Sequence, residues 1–151
     1  MKGAVIYYSR SGVTKKIAEK VQVKFGTDMF FVEPEKEYGN MASAILRVIR
    51  EKAGKKTPAV KMEPADFSAY DTVFVGFPVW AATMPDFFRE YLGRADLAGK
   101  RIIPFVTAGN NGRESSLQAL KELLPGSEIT DYFYTSMKEK ADEDAWLEGI
   151  E

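Results

Sequence analysis

Cysteine and histidine are both absent from this chain of 151 residues. Their absence excludes a disulfide framework, a thiolate nucleophile, a cysteine-ligated iron–sulfur cluster and an imidazole general base. A Ser–His–Asp triad is therefore impossible, and we expect neither a metal site nor a catalytic side chain. Redox or group-transfer chemistry would have to come from a bound cofactor.

Long apolar runs and an excess of one charge are also missing. The net charge is −1, so the sequence indicates no basic surface for a nucleic acid. The opening segment MKGAVIYYSR lacks the length of a signal-peptide core, and no stretch has the length of a membrane span. We therefore expect a cytoplasmic protein without nucleic-acid or membrane partners. A local cluster of lysines is interpreted as a solvated helix end and loop: Lys52, Lys55, Lys56 and Lys61.

The residues that are present predict a single domain over residues 1–151. Apolar residues make up 45% of the chain and charged residues 28%, which is ordinary for a globular protein. Short apolar runs alternate with segments of helical periodicity in the order βαβαβαβαβα. This alternation predicts an α/β fold with a parallel sheet that helices cover on both faces through right-handed crossovers.

The apolar runs and the helical periodicity define the predicted elements. The strands are predicted over residues 4–8, 29–32, 72–77, 101–107 and 129–134. The buried helical faces carry Ile17, Ala18, Val21 and Phe25; Met41, Ala44, Ile45, Val48 and Ile49; Phe87, Phe88, Tyr91 and Leu92; Leu117, Leu120 and Leu124; and Trp146, Leu147 and Ile150. Thr83 and Asp86, on either side of Pro85, predict a capping box for the third helix. Pro104 conflicts with the fourth strand, because proline removes a hydrogen-bond donor from a sheet.

The loop after the first strand, SRSGVT, has the composition of a phosphate site. In a doubly wound sheet, ligands bind beyond the carboxyl ends of the strands. Three hydroxyls and a glycine at a helix start suit an anion, because the backbone N–H groups and the helix dipole point towards it. The alternative is a polar turn that only caps the helix. The predicted phosphate-binding residues are Ser9, Arg10, Ser11, Gly12, Val13 and Thr14.

Four segments of the chain, SRSGVT, GFPVWAATMP, YDTVFVGFPVW and GKRIIPFVTAG, resemble sequences of the flavodoxin family. SRSGVT resembles the family's [TS]-x-[TS]-G-x-T phosphate loop, and GFPVWAATMP resembles the second flavin loop of its bacterial members. The other two are similar to the family's third- and fourth-strand patterns. The resemblance covers nearly the whole chain. It implies a flavodoxin-like, three-layer, doubly wound five-stranded parallel sheet in the order 2-1-3-4-5. The cofactor it implies is flavin mononucleotide (FMN), bound across the strand tips for electron transfer.

The loops after the third and fourth strands are predicted to hold the flavin ring. The second loop contributes Pro78, Val79, Trp80 and Ala81, and the third contributes Thr107, Ala108, Gly109, Asn110 and Gly112. Trp80 offers a flat apolar platform for the isoalloxazine ring, or else it is a core residue. Backbone donors of the third loop could reach the pyrimidine oxygens and N3, or else this segment is an ordinary Asn-Gly turn.

Two departures from the family pattern bear on function. The third loop, TAGNNG, has no tyrosine to stack on the outer flavin face, which leaves that face open to solvent or substrate. Ala81 and Ala82 follow Trp80 where relatives often have glycine, and alanine resists a turn with positive φ.

The resemblance favours an electron carrier that serves redox partner proteins or small-molecule electron acceptors, as a monomer or weak homodimer. The alternative is an FMN-dependent NAD(P)H or quinone-type oxidoreductase, which the near-neutral net charge favours, since carriers are often strongly acidic. A flavin-free binding module is a further alternative. A receiver domain is excluded because this chain lacks the acidic residues that such a domain needs at its strand ends. A tyrosine phosphatase is excluded because the chain has no cysteine.

Overall fold

The structure is a computed structural model that describes residues 1–34 and 63–151. Its elements are β1 (Gly3–Tyr7), α1 (Val13–Phe25), β2 (Asp28–Phe31), β3 (Thr72–Pro78), α2 (Asp86–Arg94), β4 (Arg101–Ala108), α3 (Arg113–Leu123), β5 (Glu128–Ile129), β6 (Phe133–Ser136) and α4 (Glu143–Gly149). Two predictions lie outside the described residues, namely the helix with Met41, Ala44, Ile45, Val48 and Ile49 and the cluster of Lys52, Lys55, Lys56 and Lys61.

The strands form one parallel sheet in the order β2-β1-β3-β4-β5, so the predicted α/β architecture and strand order are confirmed. Every residue of β1 is buried, as is every residue of β3 except the last. A parallel sheet covered on both faces has such continuous apolar strands. This order brings the loops that follow β1, β3 and β4 to the same edge of the sheet.

The predicted fifth strand is wrong in its extent. In its place β5 pairs with the start of β4 and β6 pairs with the end of β4, both in parallel. Between them Asp131 has a φ of 53°, which takes the chain out of the extended conformation. Because β3 occupies the other edge of β4, the two short strands lie on the same side and together form a divided fifth strand.

Pro104 lies where this outer strand is divided. It pairs with Val75 of β3 on one side, while on the other side Ile102 is the last residue paired with β5 and Phe105 the first paired with β6. The Ile102 carbonyl accepts a hydrogen bond from the Thr130 N–H at 2.9 Å. Backbone groups of alternate residues face the same edge, so the nitrogen of Pro104 faces the gap. The proline therefore removes no ladder hydrogen bond.

Helices cover both faces of the sheet and give three layers. Alternate residues of each strand point to opposite faces. One core cluster joins the sheet to α1 and α4 through Val5, Phe74, Ile17, Val21 and Leu147. The other joins the sheet to α2 and α3 through Ile6, Val75, Phe87, Phe88 and Leu120. None of the helices within residues 1–34 and 63–151 has the length and apolar character needed to cross a membrane.

The predicted capping box of α2 is wrong. The helix begins at Asp86 with Pro85 as its cap residue, and none of the described side chains, Thr83 included, caps its N–H groups. Thr83 is held instead in a bridge with Trp80, and its hydroxyl accepts a hydrogen bond from Arg89 at 3.2 Å. This bridge keeps Thr83 in a turn and moves the start of the helix beyond the reach of its hydroxyl.

Candidate functional site

The first loop runs from the end of β1 to the start of α1. The hydroxyl of Ser9 accepts a hydrogen bond from the Gly12 N–H at 3.0 Å. Gly12 has a φ of 95° and is the cap residue of α1, a conformation that glycine adopts with little strain. This turn leads directly into the helix, and Ser11 lies exposed beside it.

The amino terminus of α1 has the properties of an anion site. The first turn carries no acidic residue, and within residues 1–34 and 63–151 no side chain caps the N–H groups of the helix. A Cβ built on Gly12 would meet no atom within 4 Å, so the space in front of the turn is open. Unpaired N–H groups and the helix dipole favour negative charge at such a position.

The second loop contains a tight two-residue turn. Trp80 and Thr83 exchange two backbone hydrogen bonds, of 2.8 and 3.2 Å, around Ala81 and Ala82. Both alanines have positive φ, 52° and 67°, as in the type I′ turns that favour glycine or asparagine. The turn that alanine was expected to resist therefore forms with two alanines, and contacts elsewhere in the chain must compensate for its strain.

The side chain of Trp80 is only 8% exposed and packs in the core cluster with α2 and α3. Its ring meets the ring of Tyr8 edge-on, with centroids 5.6 Å apart. This burial favours the packing role of Trp80, and contact with a flavin stays a prediction. Trp146 belongs to α4 and packs against Phe133 of β6, with ring centroids 4.8 Å apart. It lies in the core cluster on the other face of the sheet.

The third loop is shorter than the sequence suggested. β3 includes Pro78, and β4 extends through Thr107 to Ala108, so the irregular segment begins at Gly109. Gly109, Asn110 and the next asparagine are exposed. The exposed part of this loop is thus small and polar, without an aromatic ring.

The three loops meet at the carboxyl edge of the sheet. The hydroxyls of Thr14 and Thr107 form a buried hydrogen bond of 2.9 Å that joins the first loop to β4. The Val79 N–H donates to the Thr107 carbonyl at 2.8 Å. Gly112, with a φ of 126°, lies so close to Val79 that an added Cβ would be 2.6 Å from its Cγ1. The predicted site residues of all three loops are therefore brought together.

Three residues that the sequence did not indicate support the loops near the start of α3: Arg113, Ser115 and Tyr132. Ser115 donates to the Ala82 carbonyl, and Tyr132 donates to the Arg113 carbonyl at 2.9 Å. Burial raises the pKa of Tyr132, so its hydroxyl remains a donor at neutral pH. Arg113 also contacts Glu139 at 2.8 Å and lies over the ring of Tyr134, 4.7 Å from its centroid.

The only local signal for these residues is that Arg113 and Ser115 follow the third loop directly. Ser115 and Ala82 are 33 residues apart, and Tyr132 and Arg113 are 19 apart. No periodicity or motif connects positions at such separations.

Comparison with known proteins places this arrangement in a family. The model of the flavodoxin family matches residues 2–150, whereas curated protein sequences give no match. A candidate flavoprotein of Bacteroides uniformis is 25% identical with a TM-score of 0.80, over 97% of this chain and 96% of that one. The flavoprotein of Lactobacillus acidophilus in complex with FMN is 20% identical with a TM-score of 0.75, over 96% and 97%.

The apo form of an NADH:FMN oxidoreductase shares the fold at 17% identity and a TM-score of 0.56, over 97% of this chain and 84% of that one. Its presence among the similar structures shows that this fold serves enzymes as well as flavodoxins. Since the family model spans nearly the whole chain, and the fold and strand order agree with it, this protein belongs to the flavodoxin family.

Proposed function

We propose that this protein binds FMN at the carboxyl edge of the sheet and serves as an electron-transfer protein. The observation that carries the proposal is the meeting of the three loops, joined by the hydrogen bond between the Thr14 and Thr107 hydroxyls and by the one from the Val79 N–H to the Thr107 carbonyl. A ligand with a phosphate at one end and a flat ring at the other suits such an edge. The FMN complex of the similar Lactobacillus acidophilus flavoprotein supports this choice of cofactor.

The phosphate would be held by the first loop. The open space in front of Gly12 admits phosphate oxygens to the N–H groups at the start of α1. Ser11 is exposed and free to donate, whereas the hydroxyl of Thr14 already pairs with Thr107. We therefore assign Ser11 to direct contact, and we assign Thr14 to contact and to joining the first and fourth strand ends.

The flavin ring would lie between the second and third loops. FMN supplies the redox chemistry when bound, accepting and donating electrons one or two at a time. Val79 and Gly112 keep the two loops in contact, which fixes the width of the space between their exposed parts. Gly109 and Asn110 are exposed, and their backbone N–H groups would donate to the polar edge of the ring.

The test of cofactor choice is titration of the apoprotein with FMN, riboflavin and FAD, followed by quenching of flavin fluorescence. FMN should bind more tightly than riboflavin, because only FMN has the phosphate. Ser11→Ala should weaken FMN binding by about 1–2 kcal/mol, the loss of one hydrogen bond to an anion. Riboflavin is the internal control, and its affinity should not change. Equal affinities for FMN and riboflavin would refute the phosphate assignment.

The role of Trp80 can be measured separately from that of Trp146. The chain has only two tryptophans, so its NMR spectrum has two indole N–H signals. The signal of Trp80 should shift when FMN binds, and that of Trp146 should not, because its ring lies in the opposite core cluster. If both signals remain in place while FMN binds, Trp80 is a packing residue only.

The second candidate function is an FMN-dependent NAD(P)H or quinone-type oxidoreductase. Two observations favour it: the net charge of −1 and a third loop without an aromatic ring, which leaves room beside the flavin for a substrate. FMN-loaded protein should be mixed with NADH or NADPH and a quinone. Multiple turnovers would favour the enzyme, whereas reduction that requires a partner reductase would favour the carrier.

A further inference from the structure

The turn at Ala81 and Ala82 is held in place from another part of the fold. Alanine rarely adopts positive φ, yet two consecutive alanines do so here, with φ of 52° and 67°. The two backbone hydrogen bonds between Trp80 and Thr83 close the turn, but they belong to any two-residue hairpin and do not favour alanine at its centre. A compensating contact is therefore needed.

Ser115 supplies that contact. It lies in the first turn of α3, and its hydroxyl donates to the Ala82 carbonyl across 33 residues of sequence. The other acceptor near this hydroxyl is the Gly112 carbonyl of its own helix, which is farther away at 3.4 Å. At the next residue, Arg89 of α2 donates to the Thr83 hydroxyl at 3.2 Å. Two helices thus hold two neighbouring residues of one strained turn.

The bond from Ser115 also determines which backbone groups of the turn remain available. The Ala82 carbonyl is directed towards α3, and the backbone groups of Trp80 and Thr83 bond to each other. Within the part of the chain that the structure describes, the Ala81 and Ala82 N–H groups and the Ala81 carbonyl are left without a partner. These groups are therefore available to form hydrogen bonds with a ligand at this edge.

We propose that Ser115 is a positioning residue of the flavin site, an inference that rests on the proposed binding of FMN. Its hydroxyl maintains the turn in one conformation before the ligand arrives, so that binding does not have to order the loop. Pre-organisation of this kind increases affinity without any contact between Ser115 and the ligand.

Three variants and one control test the role of Ser115. Ser115→Ala should raise the Kd for FMN about five- to tenfold, the worth of about one hydrogen bond. The Kd for riboflavin should rise equally, since the turn is predicted to serve the ring and not the phosphate. Ser115→Thr retains the hydroxyl and should bind like the wild type. Ser115→Ala combined with Ala82→Gly should recover most of the affinity, because glycine adopts positive φ without assistance.

The matched control is Ser127→Ala. Ser127 also donates its hydroxyl to a distant backbone carbonyl, that of Leu97 at 2.7 Å, but far from the three loops. Its loss should lower the melting temperature without changing the Kd for either flavin. A general loss of stability is thereby separated from a loss of positioning.

Amide hydrogen exchange of the apoprotein gives a second readout that needs no flavin. Ser115→Ala should accelerate exchange at the Trp80 and Thr83 amides, which close the turn, and the added Ala82→Gly should slow it again. The inference is overturned if Ser115→Ala leaves both the exchange rates and the affinities unchanged, or if affinity falls while these amides stay protected. If the wild type binds neither flavin, the proposed function fails, and the exchange rates still decide whether Ser115 holds the turn.

Discussion

Replacing Gly112 with alanine should reduce the free energy of unfolding by about 2–6 kcal/mol. Its φ of 126° lies in a region that L-residues rarely adopt, and strain of that kind costs about 1–3 kcal/mol. The added methyl group would also lie 2.6 Å from Cγ1 of Val79. The side chain of valine is stiff at χ1, so it cannot move aside easily, and overpacking of this kind costs roughly 1–3 kcal/mol.

Thermal unfolding followed by circular dichroism measures the effect. In a chain of this size each 1 kcal/mol lowers the melting temperature by about 2–4 °C, so a fall of about 4–24 °C is expected. The control is Gly109→Ala in the same loop. An added Cβ there would meet no atom within 4 Å, and its φ lies outside the left-handed region. That variant should be neutral, or more stable by about 0.5 kcal/mol, because alanine restricts the unfolded chain.

A second substitution separates strain from overpacking. Gly112→Ala combined with Val79→Ala removes the close contact but leaves the strained φ. The double variant should therefore recover only the part of the unfolding free energy that overpacking had cost. If Gly112→Ala is as stable as Gly109→Ala, the second and third loops do not approach each other as the structure describes. These loops would then not form a single site.

Three further variants test the supports of the site and of the last helix. Thr14→Val leaves the buried hydroxyl of Thr107 unpaired and should cost about 1–3 kcal/mol in urea unfolding, whereas adding Thr107→Val should recover part of this loss. Trp146→Phe removes the indole donor to a backbone carbonyl at 2.6 Å and should cost about 1 kcal/mol, without changing the Kd for FMN. Tyr132→Phe removes the donor to the Arg113 carbonyl and should cost a similar amount.

The effect of Tyr132→Phe should also be independent of pH in the neutral range. Burial raises the pKa of Tyr132, so the protonated form is favoured in the folded state. The stability from this group is fully present below the pKa of the unfolded chain, about 10, and is lost only as pH rises above it. A cost that disappears between about pH 6 and pH 9 would contradict this reasoning.

A Thr14→Val/Thr107→Val variant less stable than Thr14→Val would contradict the role of the hydroxyl pair.

The sequence predicted the strands and most helices because their signals are local. Apolar runs such as the one that became β3 identify strands buried on both faces, and helical periodicity identifies α1 and α4. The wrong predictions involve contacts between elements. The fifth strand is divided opposite Pro104, and the capping box of α2 is replaced by the bridge from Trp80 to Thr83.

For the candidate site, the residues of each loop could be read from the sequence: hydroxyls and Gly12 after the first strand, an apolar segment after the third, and small residues after the fourth. Such composition reflects the turn and capping preferences of neighbouring residues. The meeting of these loops, the positive φ of two alanines and the support from Ser115 and Tyr132 became visible only in the folded chain. These contacts join residues far apart in sequence, and only the order of strands in the sheet brings them together.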